Sequence, residues 1–156
     1  TLAAFEELRT SGKIRHWGVS NFDLALMREV ERLMPGRCAC NQVLYNLQRR
    51  GIEHDLLPWC VQNGVLLQAY SPLDQGNLRK PAPLLAVGKR HNATPEQIAL
   101  AWSVRMAGVH AIPKSANPDR VKQNAAAADI TLTAADLREL DAAFAPPTGP
   151  TPLETA

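Results

Sequence analysis

The sequence predicts an α/β fold, a parallel sheet covered by helices, on three observations. Short apolar runs of strand length alternate four times with segments of helical periodicity. Gly, Pro and Asn punctuate the joins between them. Each apolar run ends on polar residues, and in α/β sheets the C-terminal ends of strands are where ligands bind.

The elements follow in order. Leu2, Phe5 and Leu8 carry helical spacing up to a stop at Gly12. Ile14 to Val19 reads as a buried strand ending in Ser20-Asn21. A helix with Leu26, Val30 and Leu33 on one face then runs to Pro35-Gly36. Cys38 to Tyr45 is the second strand, and a helix from about Glu53 to Gln62 ends at Asn63-Gly64. Val65 to Tyr70 is the third strand, broken by Ser71-Pro72. A loop from Asp74 to Pro83 precedes a helix over Leu84 to Arg90. Thr94-Pro95-Glu96-Gln97 is a strong helix start, because Thr94 can cap, Pro95 suits the first turn and Gln97 completes a capping box. Val109 to Ile112 is the fourth strand. It breaks at Asn117-Pro118 into a helix that reaches the Ala-rich run near Ala128. Thr133 and Asp136 cap a last helix with core face Leu137, Leu140 and Phe144, and the Pro-rich tail from Pro146 to Ala156 reads as irregular.

The 156 residues suffice for one domain with a real core, taken as 1–156 with 146–156 as its tail, and no low-complexity linker marks a second. A hydrophobic content of 46% argues against disorder. The net charge of +2, with the 17 basic residues not massed into a tract, predicts neither a nucleic-acid nor a membrane partner. The absence of a signal-peptide pattern points to a cytoplasmic protein, and the missing initial Met to a fragment. Cys38, Cys40 and Cys60 fit no zinc spacing. Cys38 and Cys40 lie two apart on a strand and are expected on the same side of it, as small buried hydrophobes. His16, His54, His91 and His110 are scattered and read as structural or exposed; no metal site is expected.

Polar residues collect at the four strand ends: Ser20-Asn21, then Asn41, Gln42 and Tyr45, then Tyr70-Ser71, then Lys114-Ser115. Each has a plain structural alternative. Ser20 and Asn21 would serve as helix caps, Gln42 would satisfy loop backbone, and Tyr70 would be an interface tyrosine. The fourth end is different. Lys114 and Arg120 flank a helix start, where a cation opposes the dipole unless an anion lies between them. That arrangement suits a phosphate.

Gly18-Val19-Ser20-Asn21-Phe22, Asn41-Gln42-Val43-Leu44-Tyr45, Ala69-Tyr70-Ser71-Pro72-Leu73 and Ile112-Pro113-Lys114-Ser115 through Arg120 and Asn124 occur in that order. Together they closely resemble the aldo-keto reductases, NADP-dependent oxidoreductases on a (β/α)8 TIM barrel. The stretch from Asn41 to Pro72, with Arg49-Arg50-Gly51-Ile52 and Leu57-Pro58-Trp59-Cys60 inside it, looks most like bacterial members related to methylglyoxal reductases. The resemblance implies a cofactor site for NADPH/NADP. Ser20, Asn21 and Gln42 match the residues that bind the nicotinamide carboxamide, where amide side chains can donate and accept together. Tyr70 matches the aromatic stacked on the nicotinamide. Ser71, Leu73 and Gln75 match the loop around the pyrophosphate. Lys114, Ser115, Asn117 and Arg120 match the adenosine 2′-phosphate positions, and Gln123 and Asn124 the adenine contacts, although many relatives carry Glu at Gln123. Two fixed cations at the 2′-phosphate predict NADPH over NADH.

The family's proton donor is a Tyr supported by Asp, Lys and His, and nothing in this sequence matches those motifs, so no catalytic residue is assigned. The four strands correspond to the second half of the barrel. Such a half would leave two sheet edges exposed, which predicts self-association, and without a proton donor the chain alone is expected not to reduce aldehydes. The function expected is the cofactor-binding half of a reductase taking a small-molecule carbonyl, aldehyde or ketone, to its alcohol. The alternatives are a non-catalytic NADP-binding or regulatory module of the same fold, or an unrelated barrel holding a sugar phosphate.

Overall fold

The computed structural model describes residues 1–156. Four strands form one sheet in the order β1-β2-β3-β4: β1 Trp17–Ser20, β2 Cys38–Leu44, β3 Leu66–Tyr70 and β4 Val109–Ala111. Every neighbouring pair is parallel, and a helical connection separates each strand from the next. The helices are α1 Leu2–Thr10, α2 Leu24–Leu33, α3 Leu56–Gln62, α4 Ala82–Arg90, α5 Pro95–Ser103, α6 Pro118–Ala126 and α7 Ala134–Ala143. Parallel strands need crossovers of this length, so the repeated strand–helix order settles the topology. β1 and β4 are the two edges of the sheet. No helix is long and apolar enough to cross a membrane.

The core lies between the sheet and its helices. Val43, Leu67 and Ala69 project from β2 and β3 onto Met27, Leu57, Val87, Ile98 and Trp102, all essentially inaccessible to solvent. α7 closes the core with Leu140 and the following Phe144. α1 buries no residue fully; it leans Phe5 on Trp17, ring centroids 5.8 Å apart, and its Glu6 accepts a 2.6 Å hydrogen bond from the Trp17 indole N–H.

Two helix starts behave as their sequences predict. Thr94 and Thr133 form full capping boxes with Gln97 and Asp136. Several boundaries differ from the expected ones. The segment from Gly51 divides into a 3₁₀ turn, Gly51–Glu53, and α3, because the Asp55 side chain accepts from Leu56 N and restarts the helix. α4 opens at Ala82, two residues early, since Pro81 stands at its N-cap and Pro83 falls in the tolerant first turn. The Asp74–Gly76 segment of the expected loop is a 3₁₀ turn, and α6 tightens into another at Ala127–Asp129. β1 begins at Trp17 rather than Ile14, and β4 ends at Ala111 rather than Ile112.

Cys38 and Cys40 do not share one environment. The β1–β2 ladder slips by a residue, Trp17 pairing with Cys38 but Val19 with Asn41. Cys38 is buried and Cys40 only half-buried. Gly18 stands at the slip, where any Cβ would collide with the Cys40 carbonyl and Sγ.

Asp136 ties α7 to α4. It is buried and accepts from Arg90 Nε and Nη2 (3.0 and 2.7 Å) and from Thr133 N and Oγ1 (2.9 and 2.7 Å), and it pairs with His91 Nε2 at 2.8 Å. Burial pushes its carboxyl up, but the hydrogen bonds from His91, Thr133 and Arg90 outweigh it and hold the group far below its ordinary value of 3.8. A carboxyl depressed in the folded state stabilises fully above its unfolded value, and that stabilisation is lost as pH falls through the folded one. The urea midpoint is therefore expected to hold steady near neutrality and to fall below about pH 4. Asp136→Asn should lower the plateau and flatten that acid limb. A midpoint unchanged down to pH 3 would contradict this.

Candidate functional site

A cleft of about 720 Å³ opens beside the C-terminal ends of β3 and β4. Its walls come from the loop after β3, from the start of α5, and from the strand-to-helix turn between β4 and α6. Ser71, Leu73, Gln75, Lys114, Ser115, Arg120, Gln123 and Asn124, all expected at the cofactor site, line it together. Ser20, Asn21, Gln42, Tyr70 and Asn117 lie outside its lining. Of these, Ser20 and Gln42 are register neighbours on β1 and β2, Asn21 follows Ser20 directly, and Tyr70 ends β3 just before Ser71.

The strand-end residues are not helix caps. Asp23 caps α2, accepting from Leu26 N at 2.9 Å, which leaves the Ser20 and Asn21 side chains free of that task. Asn21 has a left-handed backbone (φ 55°), and its N–H donates to Gln42 O. Ser20 Oγ donates to the same carbonyl at 3.0 Å. Gln42 spends its amide on no loop backbone: Nε2 donates to Gln68 Oε1 at 3.1 Å, across the β2–β3 register pair. Asn41 is wholly buried and braces the loop after β1, donating from Nδ2 to Phe22 O at 2.7 Å.

At the fourth strand end the anion-binding argument changes form. Asn117 caps α6, its Oδ1 accepting from Asp119 N (2.8 Å) and Arg120 N (3.2 Å). Pro118 has no N–H to offer, and Val121 N already bonds Asn117 O. The first turn of α6 therefore has no free backbone donor. What remains for an anion is side-chain chemistry: the ammonium of Lys114, the guanidinium of Arg120 and the hydroxyl of Ser115. Lys114 and Arg120 are exposed, and neither forms an ion pair within the chain.

Glu96, on the same wall, was not expected there. The capping box puts it in the first turn of α5, but nothing in the sequence says that this turn faces the cleft. It pairs with Lys80 at 2.6 Å. Burial raises its carboxyl, while the Lys80 bond, a backbone N–H and the charges of Lys80 and Arg120 lower it and prevail.

The tail from Pro146 is irregular, as expected, yet it is docked. Glu154 meets Arg49 Nη1 at 2.9 Å, Leu153 packs against the core, and Ala156 N donates to Tyr70 Oη at 3.2 Å. No three His, Cys, Asp or Glu side chains gather in a way that would hold a metal ion.

The family model of the aldo/keto reductase family matches residues 1–145. The methylglyoxal reductase YeaE of Escherichia coli is 49% identical over 160 residues, covering 99% of this chain and 56% of that protein. A glyoxal reductase of Bacillus subtilis is 34% identical over 142 residues, covering 91% of this chain and 50% of that one. Among solved structures, an aldo-keto reductase from Klebsiella pneumoniae in complex with NADPH superposes with a TM-score of 0.95 at 44% identity, covering 100% of this chain and 57% of that chain. The chain thus spans about half the length of the curated relatives it matches.

Proposed function

The chain belongs to the aldo/keto reductase family, and we propose that it forms the dinucleotide-binding part of an NADPH-dependent reductase of aldehydes or ketones. The observation that carries this is the cleft wall with two unpaired cations, Lys114 and Arg120, beside the polar strand ends. That donor set fits NADPH. A phosphate dianion pairs with both cations and the Ser115 hydroxyl, and neither cation is already committed inside the chain.

In this reading Lys114, Ser115 and Arg120 hold the adenosine 2′-phosphate, with Gln123 and Asn124 against the adenine. Asn117 contributes by shaping the turn. Ser71, Leu73 and Gln75 carry the pyrophosphate loop. Ser20, Asn21 and Gln42 orient the carboxamide, and the Tyr70 ring supports the nicotinamide. When bound, the cofactor supplies a hydride equivalent to a carbonyl carbon. Neither of the two tyrosines is placed to protonate the carbonyl oxygen. Tyr45 is fully buried and donates to Glu53 at 2.6 Å, and burial raises its pKa well above the ordinary value. Tyr70 is assigned to stacking. The 156 residues by themselves should therefore bind NADPH and give no aldehyde-dependent oxidation of it.

Titration with NADPH, followed by nicotinamide fluorescence, tests the proposal. Saturable binding is expected, with weaker binding of NADH and no competition from sugar phosphates. No response to NADPH would overturn it, and sustained turnover with methylglyoxal would overturn the assignment of a binding role alone.

A further inference from the structure

The loop Ser71–Gly76 cannot owe its shape to its own sequence. Ser71, Asp74 and Gln75 all have left-handed backbones (φ 48°, 49° and 55°), which disfavour residues with a side chain. Internal turns bond Asp74 N to Ser71 O and Gly76 N to Leu73 O, but these only close the loop on itself. The restraint comes from a turn after β2, 25 to 26 residues away in sequence. Asn46 is fully buried, and its orientation is unambiguous: Oδ1 accepts from Gln48 N and Arg49 N (2.9 and 3.0 Å), so Nδ2 is the donor to Ser71 O at 2.9 Å. Gln48 is fixed in the same way. Its Oε1 accepts from Arg79 N and Nε (2.8 and 3.0 Å), and its Nε2 donates to Asp74 Oδ2 at 2.7 Å. Two amide side chains of one turn thus grip the start and the middle of the strained loop, at Ser71 and Asp74.

We propose that Asn46 and Gln48 are positioning residues that hold the Ser71–Gly76 loop in the shape that receives the dinucleotide pyrophosphate. This rests on the cofactor assignment above. Neither residue need touch the cofactor. Their effect is to supply the loop's strained conformation before binding, so that cofactor binding does not have to create it.

Gln48 is the residue to test, since it is only half-buried and its replacement leaves the core intact. Gln48→Glu keeps the acceptor for Arg79 but sets a carboxylate against Asp74. Adding Asp74→Asn restores a donor–acceptor pair with its direction reversed, and Asn tolerates the left-handed backbone. The probes are NADPH and adenosine 2′-monophosphate, which lacks the pyrophosphate and nicotinamide, with thermal melting as a check on folding. Q48E is expected to weaken NADPH about 3–10-fold, the effect of one lost hydrogen bond. It should leave adenosine 2′-monophosphate unchanged, and the Q48E/D74N pair should recover most of the NADPH affinity. Equal losses for both probes, or no rescue, would reduce Gln48 to a structural residue and overturn the proposal. So would a Q48E variant that binds NADPH as the parent does. A parent protein that binds no NADPH at all overturns the cofactor assignment itself, an outcome visible before any variant is made.

Discussion

Arg120→Ala should weaken NADPH binding by about 1–3 kcal/mol, roughly 5–150-fold, and leave NADH affinity nearly unchanged. The selectivity of the effect follows from how the fourth strand end is built. Because Asn117 and Pro118 use up or remove the backbone donors of α6, the helix end offers no compensating N–H when a side-chain cation is lost. Lys114 would remain as a point charge without the planar fork that a guanidinium presents to phosphate. Glu96 sharpens the loss. It lies close enough to Arg120 to be influenced by that charge, and with the guanidinium gone the wall presents an acid whose charge only Lys80 offsets. Arg120 is exposed and caps nothing, so thermal stability should not change. Fluorescence titration of the parent and the variant with both cofactors checks the result. Equal losses for NADPH and NADH would refute the 2′-phosphate assignment.

The elements of this fold were legible where a local interaction dictates them. Thr94 with Gln97 and Thr133 with Asp136 are complete within four residues, so the starts of α5 and α7 could be read directly. The strand-end polar residues were legible because alternation of strand and helix forces those ends onto one face. The unread part depends on contacts between distant segments. That α5 starts at the cleft, which makes Glu96 a wall residue, follows from the packing of α4, α5 and α6 and not from any spacing. The pairing of Gln42 with Gln68 requires the β2–β3 register. The slip at Gly18 likewise depends on how β1 pairs with β2. The anion site was legible in its charges but not in its donors. The Asn117 side chain takes two of the N–H groups at that helix start, and no spacing in the sequence shows it.

Glu53→Ala is expected to cost about 3–5 kcal/mol of folding stability, a large share of what a domain of this size possesses. Glu53 is the shared anion of a cluster that nothing in the sequence announces, since its members lie just after β2, at the 3₁₀ turn and just beyond α5. Oε1 accepts from Tyr45 Oη (2.6 Å) and Arg105 Nη2 (2.9 Å), and Oε2 from Arg50 Nε (3.1 Å) and Nη2 (2.8 Å). Both guanidinium groups lie over Trp102, 4.8 and 3.8 Å from its ring centroid. Burial would raise the Glu53 carboxyl, but the bonds from Arg50, Tyr45 and Arg105 prevail and keep it below its ordinary value, hence ionised. Removing it leaves the Arg105 guanidinium with only Tyr45 Oη and Trp102 O, and no anion. It leaves Arg50, whose side chain is 6% exposed, dependent on Asp141 and the Phe144 carbonyl. The cost is that of guanidinium charge left short of anions, with none for Arg105 and only Asp141 for Arg50, not of a missing contact. It follows that replacing the whole set at once, Tyr45→Phe and Arg50→Met with Glu53→Leu and Arg105→Met, so that no buried polar partner is orphaned, should cost much less than Glu53→Ala alone. Urea unfolding of the three proteins with equal m-values decides the matter. A loss below about 1 kcal/mol in Glu53→Ala would show that water reaches the two arginines and that the cluster behaves as a surface network. The placement also links stability to the site. Tyr45 is the residue before Asn46, so the anion that anchors Tyr45 also anchors the turn from which the cofactor loop is held.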